Sequence, residues 1–279
     1  MLRHGMTTLL ALLAAASAAS AQAVPGRLHW QTGQVLTYRV EQTTTVTETV
    51  GDQSAETKTQ LSLVKRWQVL AVDNAGVATL QLSLTSLRQE MAVPGGDPLL
   101  FDSDKPDKST PQLRDQMAKY VNAPLAVLRV DALGRVVEVK DSKFGPPTRY
   151  EAELPFVAAL PADALKAGLA WERAYKITVE PPKGAGEKYD AVQKYACKSA
   201  ADGSAVVTLT TALKAPPAAA ADQVPLLQLL PEGEVVYDLK AGRLRSAALH
   251  VEKEVKGYQG ENSSYRVTST YSEQYVGDR

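Results

Sequence analysis

The chain has 279 residues, with 31 basic and 31 acidic side chains for a formal charge of +0, one cysteine and three histidines. A neutral chain without basic runs argues against nucleic acid as a partner. A lone thiol, Cys197, leaves no internal disulfide, so burial has to stabilise the fold.

Arg3 and His4 precede an apolar stretch from Thr8 to Ala19, followed by the small-x-small sites Ala19-Ser20-Ala21 and Ala21-Gln22-Ala23. That layout predicts a cleavable export signal over residues 1–23, with an apolar run too short to span a bilayer as a helix. No cysteine follows the cleavage region, so acylation there is excluded. The expectation is an exported, periplasmic or extracellular protein with no transmembrane segment after cleavage. A membrane barrel is disfavoured, because Trp and Phe are too few for aromatic girdles and the outward faces carry Thr, Lys and Glu.

Val35 to Val50 alternates with a period of two. Leu36, Tyr38, Val40, Val46 and Val50 share one parity, and Thr and charged residues take the other, so a long strand with one wet face is expected. Gly51-Asp52 breaks it. Leu61, Leu63, Trp67, Val69 and Ala71 line a second strand, Asp73-Asn74-Ala75-Gly76 reads as a turn, and Ala78, Leu80, Leu82 and Leu84 line a third. Val93 to Ser109, rich in Pro, Gly and Asp, reads as loop. Ser109 or Thr110 is placed to cap a helix from Pro111 to about Tyr120. Strands resume at Leu125–Asp131 and Val136–Val139.

Pro146 to Pro161 bridges to a second copy, with a helical turn expected in Phe156 to Ala167. From Gly168 the same order returns: Trp171, Tyr175, Ile177 and Val179, then Tyr189, Tyr195 and Cys197, an Asp202-Gly203 turn, and Val207, Leu209 and Leu213. Lys214 to Pro225 reads as irregular. Val235–Leu239 and Leu244–Val255 close the copy, and Ser264–Val276 adds a strand. Gly33 to Val139 and Gly168 to Val251 thus read as one supersecondary unit used twice. The expected fold is mainly β, with about eleven long antiparallel strands in a strongly curved sheet or barrel and one or two short helices plugging it. The expected division is a signal over 1–23 and repeat halves over 24–160 and 161–279, joined in one continuous β domain. Two separate small sandwiches are the alternative.

Candidate chemical sites each have a plainer reading. His250, Glu252 and Glu254 share one face of a strand and suggest a metal, but the opposite parity is apolar, so theirs is the solvated face. Cys197 aligns with Val69 of the first copy and Tyr195 with Trp67, which makes Cys197 a buried, inert thiol. Asp102, Asp104 and Asp107 suggest calcium but lack the spacing of a calcium loop. Asp131 and Asp238 precede Gly-Arg pairs at matching places, as a carboxylate pair or, more simply, as hairpin turns. Asn262-Ser263-Ser264 matches a glycosylation acceptor, meaningful only in a host that glycosylates exported chains. No catalytic motif stands out.

The stretches L-H-W-Q-T-G-Q-V-L-T-Y-R-V-E at 28–41 and V-V-Y-D-L-K-A-G-R-L at 235–244 resemble an uncharacterised family of exported bacterial β-rich proteins. More distantly, a curved sheet with plugging helices is similar to periplasmic lipoprotein-carrier half-barrels. The function expected is non-enzymatic, without cofactor or metal: an envelope protein holding an apolar ligand such as a lipid, or an envelope protein partner, in the concave face. Candidate lining residues are Tyr38, Trp67, Leu80, Leu82, Tyr175, Tyr195 and Tyr271, any of which also suits plain core packing. Gln42, Thr44 and Lys65 make that face more polar than an acyl-chain cavity. An exported hydrolase with a carboxylate-based site and a structural scaffold are the alternatives.

Overall fold

The structure, a computed structural model, describes residues 23–147, 150, 158–180 and 184–277. Residues 1–22 of the expected signal and residues 156–157 of the expected helical turn lie outside them.

Twelve strands form one antiparallel sheet. The first unit comprises β1 (Val35–Val50), β2 (Gln53–Val72), β3 (Ala78–Ala92), the short β4 (Leu99–Asp102), β5 (Pro124–Val130) and β6 (Val136–Ser142). The second comprises β7 (Ala170–Val179), β8 (Glu187–Ala201), β9 (Ser204–Leu213), β10 (Glu232–Asp238) and β11 (Arg243–Lys256), followed by β12 (Ser263–Gly277). The order across the sheet is β6-β5-β3-β2-β1-β12-β11-β10-β9-β8-β7, with β4 paired to β3 outside this path. Both units therefore run the same way through the sheet, and β12 joins the first strand of one to the last strand of the other. The sheet curls without closing, leaving β6 and β7 as its edges.

The register repeats as closely as the order. Leu36 faces Trp67, which faces Leu82; Trp171 faces Tyr195, which faces Leu209. Each second strand then carries an extra residue, Leu70 in one copy and Lys198 in the other, where the pairing slips. At each bulge a positive-φ glycine supplies the same bond: the Gly33 amide donates to the Val69 carbonyl, and the Gly168 amide to the Cys197 carbonyl. Both glycines have φ of +84°, a conformation that a Cβ disfavours.

Inward side chains from both units meet in one core, which includes Leu36, Tyr38, Trp67, Leu80 and Leu128 from the first and Tyr195, Leu209, Val235, Tyr237 and Leu244 from the second. Mutual burial of these faces is the reason for the curl. The base is closed by residues 24–30, whose Leu28 amide donates to Ala132 and His29 amide to Gly242, and by the linker, whose Leu160 amide donates to Leu133. Tyr237 seals the linker with a hydroxyl bond to the Ala158 carbonyl.

Several expectations need correction. Leu99–Asp102, read as loop, is a strand because its amides pair with the far end of β3, and Pro106–Lys108 is a 3-10 turn. Residues 158–167 carry no helix; they follow a bent path tied by the Leu160 amide to Leu133 and the Leu165 amide to Val24. The second helical insertion lies instead at α2 (Ala220–Gln223), inside the stretch read as irregular, and the 3-10 run Val224–Leu229, which begins at its end. It follows β9, the third strand of its unit, whereas α1 (Pro111–Met117) follows β4 in the first. Leu113 and Met117 pack with Leu84, Leu87 and Phe101, and Leu226 with Ile177, Val179 and Ala191. Thr110 stands at the start of α1 without a capping bond, because its hydroxyl accepts the Leu100 amide instead.

Candidate functional site

Of the seven expected lining residues, Tyr38, Trp67, Leu80, Leu82 and Tyr195 are packed into the core. The cavity bounded by Tyr38, Trp67, Leu36 and Leu80 holds only ≈ 10 Å³, about the space of one water. Tyr175 and Tyr271 are half-buried, at different places: Tyr175 borders the open seam of the sheet, and Tyr271 belongs to a polar layer in its middle.

That layer is built around Lys65 on β2 and Glu273 on β12, whose side chains are 3% and 0% exposed and 3.2 Å apart. The Tyr271 hydroxyl donates to Glu273 at 2.6 Å, and Gln42, Thr44 and Ser269 continue the hydrogen bonding along the inner face. Lys65 reaches Glu273 diagonally across β1, where Val40 faces both Leu63 and Glu273. In the second unit Gln193 takes the place of Lys65 and Thr211 that of Leu84, since Lys65 pairs with Leu84 and Gln193 with Thr211. Gln193 is wholly buried and accepts the Tyr195 hydroxyl through Oε1, but among the described residues its Nε2 and the Thr211 hydroxyl have no hydrogen-bond partner. Burial pushes the Tyr175 hydroxyl up to about 12 and raises that of Tyr195 further, against the charge of Arg173.

Larger clefts lie outside the core, two of them among the described residues. One, of ≈ 610 Å³, crosses the outer face over β3, β2, β1, β12 and β11 and is lined by polar groups including Glu41, Ser62, Arg88 and His250. The other, of ≈ 690 Å³, lies at the seam. It is bordered by Arg135 and Val136 at the start of β6, by residues 159–163, and by every residue of β7 from Trp171 to Lys176. Side chains of both parities line it, so it runs along the edge of β7 rather than over one face. Its walls combine the Trp171 and Tyr175 rings with Arg135, Arg173, Lys176 and Lys188, against Asp163 and Glu172. Trp171 is fixed by donating to the Ala159 carbonyl, and the Arg173 guanidinium stands 5.0 Å from the Tyr175 ring. Sequence reasoning named Tyr175 here but missed the rest, because a seam is a property of strand order and not of any segment.

The other candidates have structural occupations. Asp102 accepts the Asp104 and Lys105 amides, and Asp131 the Leu133 and Arg135 amides, as turn formers. Asp238 does the same for Ala241. His250 pairs with Glu232, and Glu252 with Arg266, on an exposed face. Cys197 is buried, its thiol raised by desolvation and pointed at the Ser199 carbonyl. Among the described residues, no three His, Cys, Asp or Glu side chains are grouped to hold a metal, and no helix is long and apolar enough to cross a membrane.

No family model and no curated protein matches the chain. Two of the solved structures that are similar to it, both at low scores, illustrate the likeness. One, an outer membrane channel from Pseudomonas putida F1, is 10% identical with a TM-score of 0.26, over 91% of this chain and 100% of that one. The other, DynF from the dynemicin biosynthesis pathway of Micromonospora chersina, is 8% identical with a TM-score of 0.19, over 99% and 93%.

Proposed function

We propose that this chain is an exported, non-enzymatic binding protein of the cell envelope whose recognition site is the seam cleft beside β7, not the interior of the curled sheet. One observation carries the choice of site: aromatic and cationic side chains gather along the sheet edge in ≈ 690 Å³ of open space, while the cavity beside Tyr38, Trp67 and Leu80 in the core holds ≈ 10 Å³. Concave sites of that size, apolar in part and with a few directed polar groups, suit ligand or partner recognition. The cationic excess of the walls favours an anionic guest.

The test is site-specific photo-cross-linking in an exporting bacterial host. A benzophenone side chain at Ala174, on the seam edge, is expected to give a discrete adduct. The same group at Lys198, on the outer face of β8, is expected to give none. Equal labelling from both positions, or none from Ala174, would overturn the reading.

A further inference from the structure

The two units differ in one respect that bears on what the seam takes, and the inference drawn from it rests on the seam reading above. In the first unit a strand, β12, lies beside β1 and presents Glu273 opposite Val40, with Tyr275 opposite Tyr38 and Tyr271 opposite Gln42. Glu273 thereby meets Lys65, the inward polar residue of the second strand. In the second unit β7 stands where β1 does, with Arg173, Tyr175 and Ile177 at the places of Tyr38, Val40 and Gln42. Among the described residues no strand lies on the outer side of β7, away from β8, and the group at the place of Lys65, Gln193, keeps a buried amide nitrogen without a partner. An unsatisfied buried donor of this kind is costly.

The β7 edge is also ready to pair. The Cys197 amide donates to the Leu169 carbonyl, which sets the phase of the β7–β8 ladder. Trp171, Arg173 and Tyr175 therefore spend their backbone groups on β8, and Glu172, Ala174 and Lys176 turn theirs to the open side. The β7–β8 pairing has no bulge, whereas the opposite edge strand, β6, sits against two. Exposed straight edges are where strands add.

We infer that the outer edge of β7 accepts an extended, acidic segment of a partner protein as an added antiparallel strand, with a carboxylate opposite Tyr175. That carboxylate occupies the place of Glu273 and accepts from Gln193 Nε2. Aromatic side chains two residues to either side occupy the places of Tyr271 and Tyr275.

A fluorescent peptide of residues 264–276 of this chain, which contains Tyr271, Glu273 and Tyr275, is the probe. Anisotropy is expected to show saturable binding to the intact protein. Ala174→Pro removes an edge amide, a change that edge strands tolerate, and is expected to weaken binding by at least about tenfold. A peptide with lysine for its glutamate is expected to bind more weakly still. Hydrogen exchange on the unmodified protein gives an answer even if the proline variant does not fold: the peptide is expected to slow exchange of the Glu172, Ala174 and Lys176 amides. Unchanged exchange at these amides, or full binding to a folded Ala174→Pro protein, overturns strand addition, and a specific cross-link from position 174 would still support the seam as a site. Equal binding of the lysine peptide overturns the acidic class. A dimer in sedimentation that Ala174→Pro dissolves overturns the partner in favour of a second copy.

Discussion

At the residue scale, the inner face combines close packing with a charge pair shielded from water. Such a pair need not stabilise relative to apolar side chains, but removing one partner leaves a buried charge uncompensated. Lys65→Ala is therefore expected to lower unfolding free energy by about 3–5 kcal/mol, read by urea denaturation; a variant that unfolds with the native midpoint would refute it. The tyrosines make a second case. Tyr175 ionises near 10.0 when solvated and at about 12 in the fold. The folded state thus holds its proton more tightly, and the stability this contributes is complete below pH 10 and lost as pH rises towards 12. Alkaline titration of tyrosinate absorbance is expected to show a delayed group that Tyr175→Phe removes. Loss of no such step would refute the assignment.

At the element scale, the bulge that follows each inward aromatic is the device that turns each unit onto the base. Gly33 and Gly168 do the same work with the same φ and with open space around the missing Cβ. Alanine at either is expected to cost about 1–2 kcal/mol from backbone conformation alone, and the two midpoints should shift alike. A large difference between the two would show that the copies are not equivalent there. The alternating strands and the turns between them were legible because strand alternation, Gly33 and Gly168, and the Asp-Gly turns are local signals. Val35–Val50 matches its alternating stretch to the residue. The far half of β3 and the strand Leu99–Asp102 were not legible, because Arg88, Gln89 and Glu90 break the alternation and their strand character comes from pairing with β2 on one side and Leu99–Asp102 on the other. The helical run at 224–229 was missed for a related reason: Pro225 and the alanines before it read as irregular, and Leu226 becomes a core residue only against Ile177 and Ala191.

At the scale of the whole molecule, residues 24–30 bind one hairpin of each unit, through Leu28 to Ala132 and His29 to Gly242. Leu28 is buried in the shared core and Trp30 packs against it. A chain starting at Gln31 is expected to lose at least about 3 kcal/mol, from apolar burial and the bonds to both hairpins, and to unfold less cooperatively by differential scanning calorimetry. A single, unshifted transition would show that the two units hold together without this segment. What the order of residues determined by itself is the repeated ribbon, apolar on one face and wet on the other, because period-two alternation is written in neighbours. Tertiary structure alone decided that Lys65 meets Glu273, that Gln193 Nε2 finds no partner among the described residues, and that β6 and β7 are the edges of the sheet. These depend on which strands become neighbours across the sheet, and that is settled when two faces distant in the chain bury each other.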